Sequence, residues 1–209
     1  RFVFMGIPIE IAGMSEFIQK IPFGNLVLVE GSIDPITTIF VQTMATIAVH
    51  EEVPVRFITS RAEEEVREQI RLFQDNGVDF PIVAERSHRH WQDHIKENGL
   101  TVIDSFSYLN IDRPLSDVRR VLEEFLKLCK EKHAIILLTT EHGMLEEQVD
   151  VTCAHLADGI FRFLTRDTEK GIRRYIRVPK WMNGQSFDEN IYYHFDGREI
   201  RVDLRARVR

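Results

Sequence analysis

From Leu26 to Phe163 the chain alternates short, continuous apolar runs with stretches whose apolar residues recur every three to four positions. Few patterns restrict a fold more. A run such as Leu26-Val27-Leu28-Val29 has no polar side to present to water, so it reads as a strand buried on both faces. Residues 54–59, 80–84, 100–104, 134–140 and 160–164 read as further strands. Between them, Ile36, Ile39, Phe40, Met44, Ile47 and Ala48 keep helical spacing. So do Val66, Ile70 and Phe73 within residues 62–76, where Asn76-Gly77 is a stop signal. Ser116 is expected to cap a helix with Val118, Val121, Leu122, Phe125, Leu128 and Cys129 on one face, and residues 148–157 form a short one. Strands alternating with helices imply parallel pairing through right-handed crossovers. After residue 165 the helices stop. Residues 172–178, 191–195 and 199–204 read as strands, the last two joined through the hairpin signal Asp196-Gly197. The expected fold class is α/β and three-layered, a mostly parallel central sheet flanked by helices with a C-terminal antiparallel strand extension.

With 209 residues, this amounts to one main domain over 21–209, the edge hairpin spanning 171–209. Residues 1–20 are read as an N-terminal segment, either partly disordered or, through Phe2–Phe4, an added strand. No secretory leader is expected, and the longest uncharged stretch, residues 35–49, is too short for a bilayer, which needs ~20 apolar residues. Two cysteines suit a reducing compartment, so the expected location is cytoplasmic, with no membrane partner. The net charge of −6 speaks against a nucleic-acid partner. That charge is uneven: residues 171–209 carry nine basic and five acidic side chains, Arg198, Arg201, Arg205, Arg207 and Arg209 among them. We read these arginines as guarding an edge strand against aggregation.

In an open parallel sheet ligands bind at the carboxyl ends of the strands. Here that place is Glu30-Gly31-Ser32-Ile33-Asp34-Pro35-Ile36-Thr37-Thr38. A phosphate loop of the form G-x-x-x-x-G-K-[ST] would run from Gly31 to Thr38. Gly31 and Thr38 match it, but Ile36 replaces the second glycine and Thr37 the lysine. Asp34-Pro35 reads as a helix start, with Asp34 as cap, so the loop would carry its own anion. At an effective dielectric of ~20, two like charges ~4 Å apart repel by about 4 kcal/mol.

The segment Ile21-Pro22-x-Gly24-x-Leu26-Val27-Leu28-Val29-Glu30-Gly31 resembles the entry to the phosphate loop in KaiC-like members of the RecA superfamily. The likeness continues through Phe57-Ile58-Thr59, Gly77-Val78-Asp79, Leu100-Thr101-Val102-Ile103-Asp104-Ser105, Ala157-Asp158-Gly159-Ile160 and Arg174-x-Ile176-x-Val178-x-Lys180. It implies a RecA-like domain. It also implies that Asp104 holds the magnesium-orienting position and that His142 follows the strand where a phosphate sensor stands. The catalytic glutamate would fall near Ser60-Arg61-Ala62; Glu63 is the nearest acid, and it reads as part of a solvated first helical turn. Arg174, Lys180 and Asn183 would correspond to contacts with a neighbouring subunit, Asn183 replacing an arginine. Gly31, Asp34, Pro35, Ile36, Thr37, Thr38, Asp104 and His142 are therefore expected to be a vestigial nucleotide site, with no catalytic residue, no metal and no cofactor beyond weakly bound nucleotide. The implied function is a pseudo-ATPase domain acting through a protein or peptide partner in regulation or signalling, in a possible homo-oligomer. Two alternatives stay open: an ATP-binding protein or ATPase with an atypical loop, and a DNA-associated, recombinase-like accessory protein.

His88, His90 and His94 form the one local cluster with metal-ligand spacing, read as a solvated connector. Cys129 and Cys153 read as structural. Trp91, Trp181, Tyr192 and Tyr193 do not interleave with basic residues along the chain, so no base-stacking platform is expected.

Overall fold

The computed structural model describes residues 5–32, 35–74, 78–85 and 90–207, the side chains of Asn183, Gln185, Ala206 and Arg207 excepted. Residues 2–4 and the Asn76-Gly77 stop lie outside the described residues. The chain opens with β1 (Gly6–Pro8) and β2 (Lys20–Pro22), an antiparallel pair apart from the main sheet. There follow β3 (Asn25–Gly31), α1 (Ile36–His50), β4 (Val55–Thr59), α2 (Glu63–Phe73), β5 (Ile82–Ala84), α3 (Trp91–His94) and β6 (Leu100–Asp104). Next come α4 (Phe106–Leu109), α5 (Leu115–Glu131), β7 (Ile135–Glu141) and α6 (Glu147–Leu156). The chain closes with β8 (Gly159–Thr168), β9 (Gly171–Trp181), β10 (Gln185–Phe195) and β11 (Ile200–Val202). The main sheet has the order β11-β10-β9-β8-β3-β7-β6-β4-β5, parallel from β8 to β5 and antiparallel from β8 to β11. The three-layer α/β architecture with an antiparallel extension is thus the one the apolar pattern specifies.

Side-chain alternation divides the interior in two. On one face Val27, Val29, Phe57, Leu137 and Phe161 meet α1 and α2. On the other, Leu26, Leu28, Ile103, Ile136 and Ile160 meet α3 to α6. Residues 1–20 were set apart in the sequence, yet Ile7, Ile9, Ile11, Met14 and Ile18 are buried in the α1-side core. Their apolar spacing is irregular because they follow a winding path rather than a periodic element.

Two helix starts differ from expectation. Pro114 occupies the capping position of α5, so Ser116 falls inside its first turn. Proline suits a helix entrance because its φ is preset and it has no N–H to satisfy. Pro35 likewise takes the capping position of α1, while Asp34 lies outside the described residues. The β10–β11 turn is wider than a two-residue hairpin: Phe195 pairs with Ile200, and the Asp196 carboxylate accepts the backbone N–H groups of Arg198 and Glu199. Those bonds hold the Asp196 carboxyl below its ordinary range. Gly197 takes the left-handed conformation the turn needs, φ +91°.

Cys129 and Cys153 are buried, and burial pushes both thiols up to about 12. Neither is a thiolate at neutral pH. The folded protein is expected to give no rapid reaction with a thiol-specific chromogenic disulfide, and two equivalents after unfolding. Rapid native labelling would contradict this packing.

Candidate functional site

Strand order sets the site. With β3, β7, β6 and β4 adjacent and parallel, their carboxyl ends bring Gly31, Thr139 to Glu141, Asp104 and Thr59 into one row. α1 leaves β3 directly above this row. Its side chains Ile36, Thr37 and Thr38 are each nearly buried.

Asp104 is the centre of the row. Its carboxylate, 3% exposed, accepts the Thr139 hydroxyl at 2.6 Å and the Thr38 hydroxyl at 3.2 Å. Burial raises its pKa, and the negative charge of Glu141 adds to this; the two threonine hydrogen bonds and the positive charge of Arg61 oppose it. The structure therefore joins Thr38 and Asp104, which lie 66 positions apart in the chain. Gly31 accepts a hydrogen bond from the His142 backbone N–H at 2.8 Å, which ties the end of β7 to the end of β3. A Cβ placed on Gly31 would lie 2.5 Å from the Thr37 methyl group. The Thr37 side chain thus folds back over the strand end, and only glycine fits beneath it.

Several groups at this end were not singled out in the sequence. Glu141 accepts hydrogen bonds from the hydroxyls of Ser105, at 2.5 Å, and Ser107. Ser105 also caps α4 by accepting the Tyr108 N–H at 3.1 Å, and Ser107 accepts the Glu141 N–H at 3.1 Å. This network fastens β6 and α4 to β7. Glu30, itself buried, is ion-paired with Arg162 across β3 and β8. Asp150 on α6 has its pKa raised by burial and by the charge of Glu30, with His142 opposing. Isolated Ser and Glu residues carry no spacing signal; only strand pairing makes them neighbours.

The remaining candidates lie elsewhere. Glu63 is bonded to Arg67, which also holds Asp79, so the acid nearest the catalytic position belongs to the solvated face of α2. Lys180 donates to the carbonyls of His155 at 2.6 Å and Ala154 at 3.4 Å, the C-terminal end of its own chain's α6, a favourable place for a cation. Arg174 stands opposite Thr165 on β8, on the α1-side face of β9. Asn183 is in the short turn Met182–Gly184. His90 faces Asp93 at 3.6 Å and His94 faces Glu85 at 3.9 Å, so the two histidines have separate partners; His88 lies outside the described residues. Among the described residues no group of three or more His, Cys, Asp or Glu side chains could hold a metal. No helix among the described residues is long and apolar enough to cross a membrane. A hollow of about 570 Å³ opens away from the strand ends, lined by Glu10, Thr43, Arg71, Gln74 and Arg198.

Residues 21–208 match the model of DUF7125, a family of unknown function. The chain belongs to that family. No curated protein matches it in sequence. Among solved structures it is similar to a KaiC-like protein of the hyperthermophilic archaeon Pyrococcus horikoshii OT3, with a TM-score of 0.77 at 20% identity over 95% of this chain and 98% of that one. It is equally similar to the flagellar accessory protein FlaH of Methanocaldococcus jannaschii, with a TM-score of 0.77 at 15% identity over 96% and 99%. At such identities the likeness establishes the RecA-like, KaiC-like fold. Fold leaves activity open, because activity resides in particular side chains.

Proposed function

We propose that this DUF7125 member is a RecA-fold domain that has lost ATP hydrolysis and acts through contact with a protein or peptide partner. One observation carries the loss: the Thr37 methyl lies over Gly31, in the position from which a phosphate loop would extend its lysine. Ile36 and Thr37 are each 3% exposed, and neither can bring a positive charge to a phosphate. Glu63, engaged with Arg67, is not directed to the strand ends, and Arg61 supplies a cation there instead of a general base. Among the described residues of the loop none supplies the cation that a phosphate loop turns toward a polyphosphate. A role in regulation or signalling accords with the likeness to FlaH, whose own description is that of an accessory protein. Assembly of this chain with copies of itself belongs to the same proposal.

The test is calorimetric titration with Mg-ATP and Mg-ADP, with a thermal scan alongside. A ligand at ~100 times its dissociation constant stabilises a fold by about 2.7 kcal/mol. In a chain of this size that raises the melting temperature by roughly 5–11 °C. Neither heat nor shift is expected at millimolar nucleotide. The second reading, an ATP-binding protein with an atypical loop, draws on the Thr38–Asp104 hydrogen bond, the pair of oxygens that would face a divalent cation. Micromolar affinity that is abolished by Asp104→Asn would establish it in place of the first.

A further inference from the structure

Beyond β8 the antiparallel extension has one face in the core and one in solvent. Phe163, Ile176, Val178, Ile191, Tyr193 and Ile200 alternate into the α1-side core. The residues between them form the opposite face. There the register places Arg162 beside Arg177, Leu164 beside Tyr175 and Tyr192, and Arg166 beside Arg173, with His194 paired to Arg201. Arg166, Arg173, Arg177, His194 and Arg201 are exposed. At the middle of the face the Tyr175 and Tyr192 rings lie 5.8 Å apart. The Arg173 guanidinium sits 4.3 Å over the Tyr192 ring, and that of Arg177 lies 5.7 Å from the Tyr175 ring. Some charge is already answered: Glu30 pairs with Arg162, Glu199 with Arg201, and Asp203 lies 3.6 Å from His194. Arg166, Arg173 and Arg177 have no carboxylate partner among the described residues; Arg177 donates to the Asn190 amide oxygen at 2.7 Å.

We propose that this face binds a short single-stranded nucleic acid, with bases stacked on Tyr175 and Tyr192 and phosphates met by Arg166, Arg173 and Arg177. An acidic protein surface would answer the arginines too, and competition by polyglutamate separates that occupant from a nucleic acid; what favours the nucleic acid is the pairing of two rings with cations from adjacent strands. Bases use both: ring stacking tolerates any sequence, and guanidinium groups stack on bases or bond phosphates. The rings already accept planar cations as stacking partners, and an arginine displaced from a ring by a base is released toward the backbone of the same strand. The chain's overall acidity does not decide the matter, since association follows the local field of the patch. The inference is independent of the nucleotide site.

The experiment is fluorescence anisotropy of the whole chain with dye-labelled 12-mers of oligo-dT and oligo-U at low and moderate salt. Binding is expected at low salt for at least one of the two, and the comparison tells DNA from RNA. Three neutralised phosphates give a slope of about −2 in log affinity against log salt. Tyr175→Ala and Tyr192→Ala should each weaken binding by about fivefold or more, while Tyr→Phe at either position retains it, because stacking needs the ring and not the hydroxyl. Arg173→Ala should flatten the salt slope. Arg119→Ala with Arg120→Ala on α5, a solvated cation pair away from this face, should change nothing. Matching circular dichroism and melting temperature verify the fold of each variant. The proposal is overturned if no oligonucleotide binds at low salt, or if the alanine variants at the two tyrosines bind as the parent does. It also fails if polyglutamate competes as well as the oligonucleotides, making the face a site for acidic proteins, or if the variants alter self-association instead.

Discussion

Replacing Phe40 by alanine should lower folding stability by about 3–5 kcal/mol and the melting temperature by roughly 6–20 °C. Phe40 is fully buried on α1, its ring 5.1 Å from that of Phe161 and 5.3 Å from that of Phe163, both on β8. Truncation removes the ring's transfer energy and leaves a cavity that a rigid sheet on one side cannot close. Tilted ring pairs contribute about 0.5–1.5 kcal/mol beyond the area they bury. Phe40→Leu, which keeps most of the volume, should lose less than half as much. The same contact seats α1 over the sheet, two residues from Thr38, so its loss should also loosen the approach of Thr38 to Asp104. Thermal unfolding followed by circular dichroism tests this. A fall of under 3 °C for the alanine variant would mean that α1 does not pack on β8 as described.

The second large effect concerns Asp104, and its sign depends on the substitution. Its carboxyl has a higher pKa in the folded chain than in the unfolded one, chiefly because burial disfavours the charge. The folded state therefore holds the proton more tightly. The group's contribution to stability is greatest at pH below the unfolded value, and is lost as pH rises through the window up to the raised folded value. Above the unfolded value the carboxyl therefore makes the folded state less favourable than a neutral side chain of the same shape would. Asp104→Asn keeps the shape and an oxygen acceptor for Thr139 while removing the charge, so its melting temperature at neutral pH should exceed the parent's. The advantage should vanish in acid. Asp104→Ala should do the reverse, because it leaves the Thr38 and Thr139 hydroxyls without their acceptor in a dry site. Each unsatisfied group costs about 1–3 kcal/mol. Melting curves of both variants from acid to neutral pH decide this, and an asparagine variant less stable than the parent at neutral pH would refute the sign.

Much of the site was legible in the order of residues along the chain, and the rest was not, for a physical reason. Gly31 and Asp104 stand at the ends of apolar runs, and in a parallel sheet every run ends on the same side; Thr38, in the first turn of α1, joins them through the phosphate-loop spacing counted from Gly31. Ser105 and Glu141 also stand at the ends of such runs, but nothing along the chain pairs them or adds Ser107: β6 and β7 become neighbours only because the crossover through α5 returns the chain to that slot. Likewise Lys180 looks like a residue free to reach outward, until folding places it against the α6 carbonyls.

The antiparallel extension makes the same point in reverse. Read along the chain, Tyr175 and Tyr192 are 17 positions apart, and no aromatic–basic alternation links them. Register sets them side by side among arginines from three strands. The sequence by itself determined the fold class, the order of strands and helices, the two buried faces and the location of the phosphate-loop region, because hydrophobic periodicity is local and survives without knowledge of partners. Only the tertiary structure decided which polar side chains share a site, since hydrogen bonds and ion pairs are short-ranged and depend on which strands lie next to each other. The Thr37 methyl over Gly31, the threonine pair on Asp104 and the arginine–tyrosine face all arise at that second level.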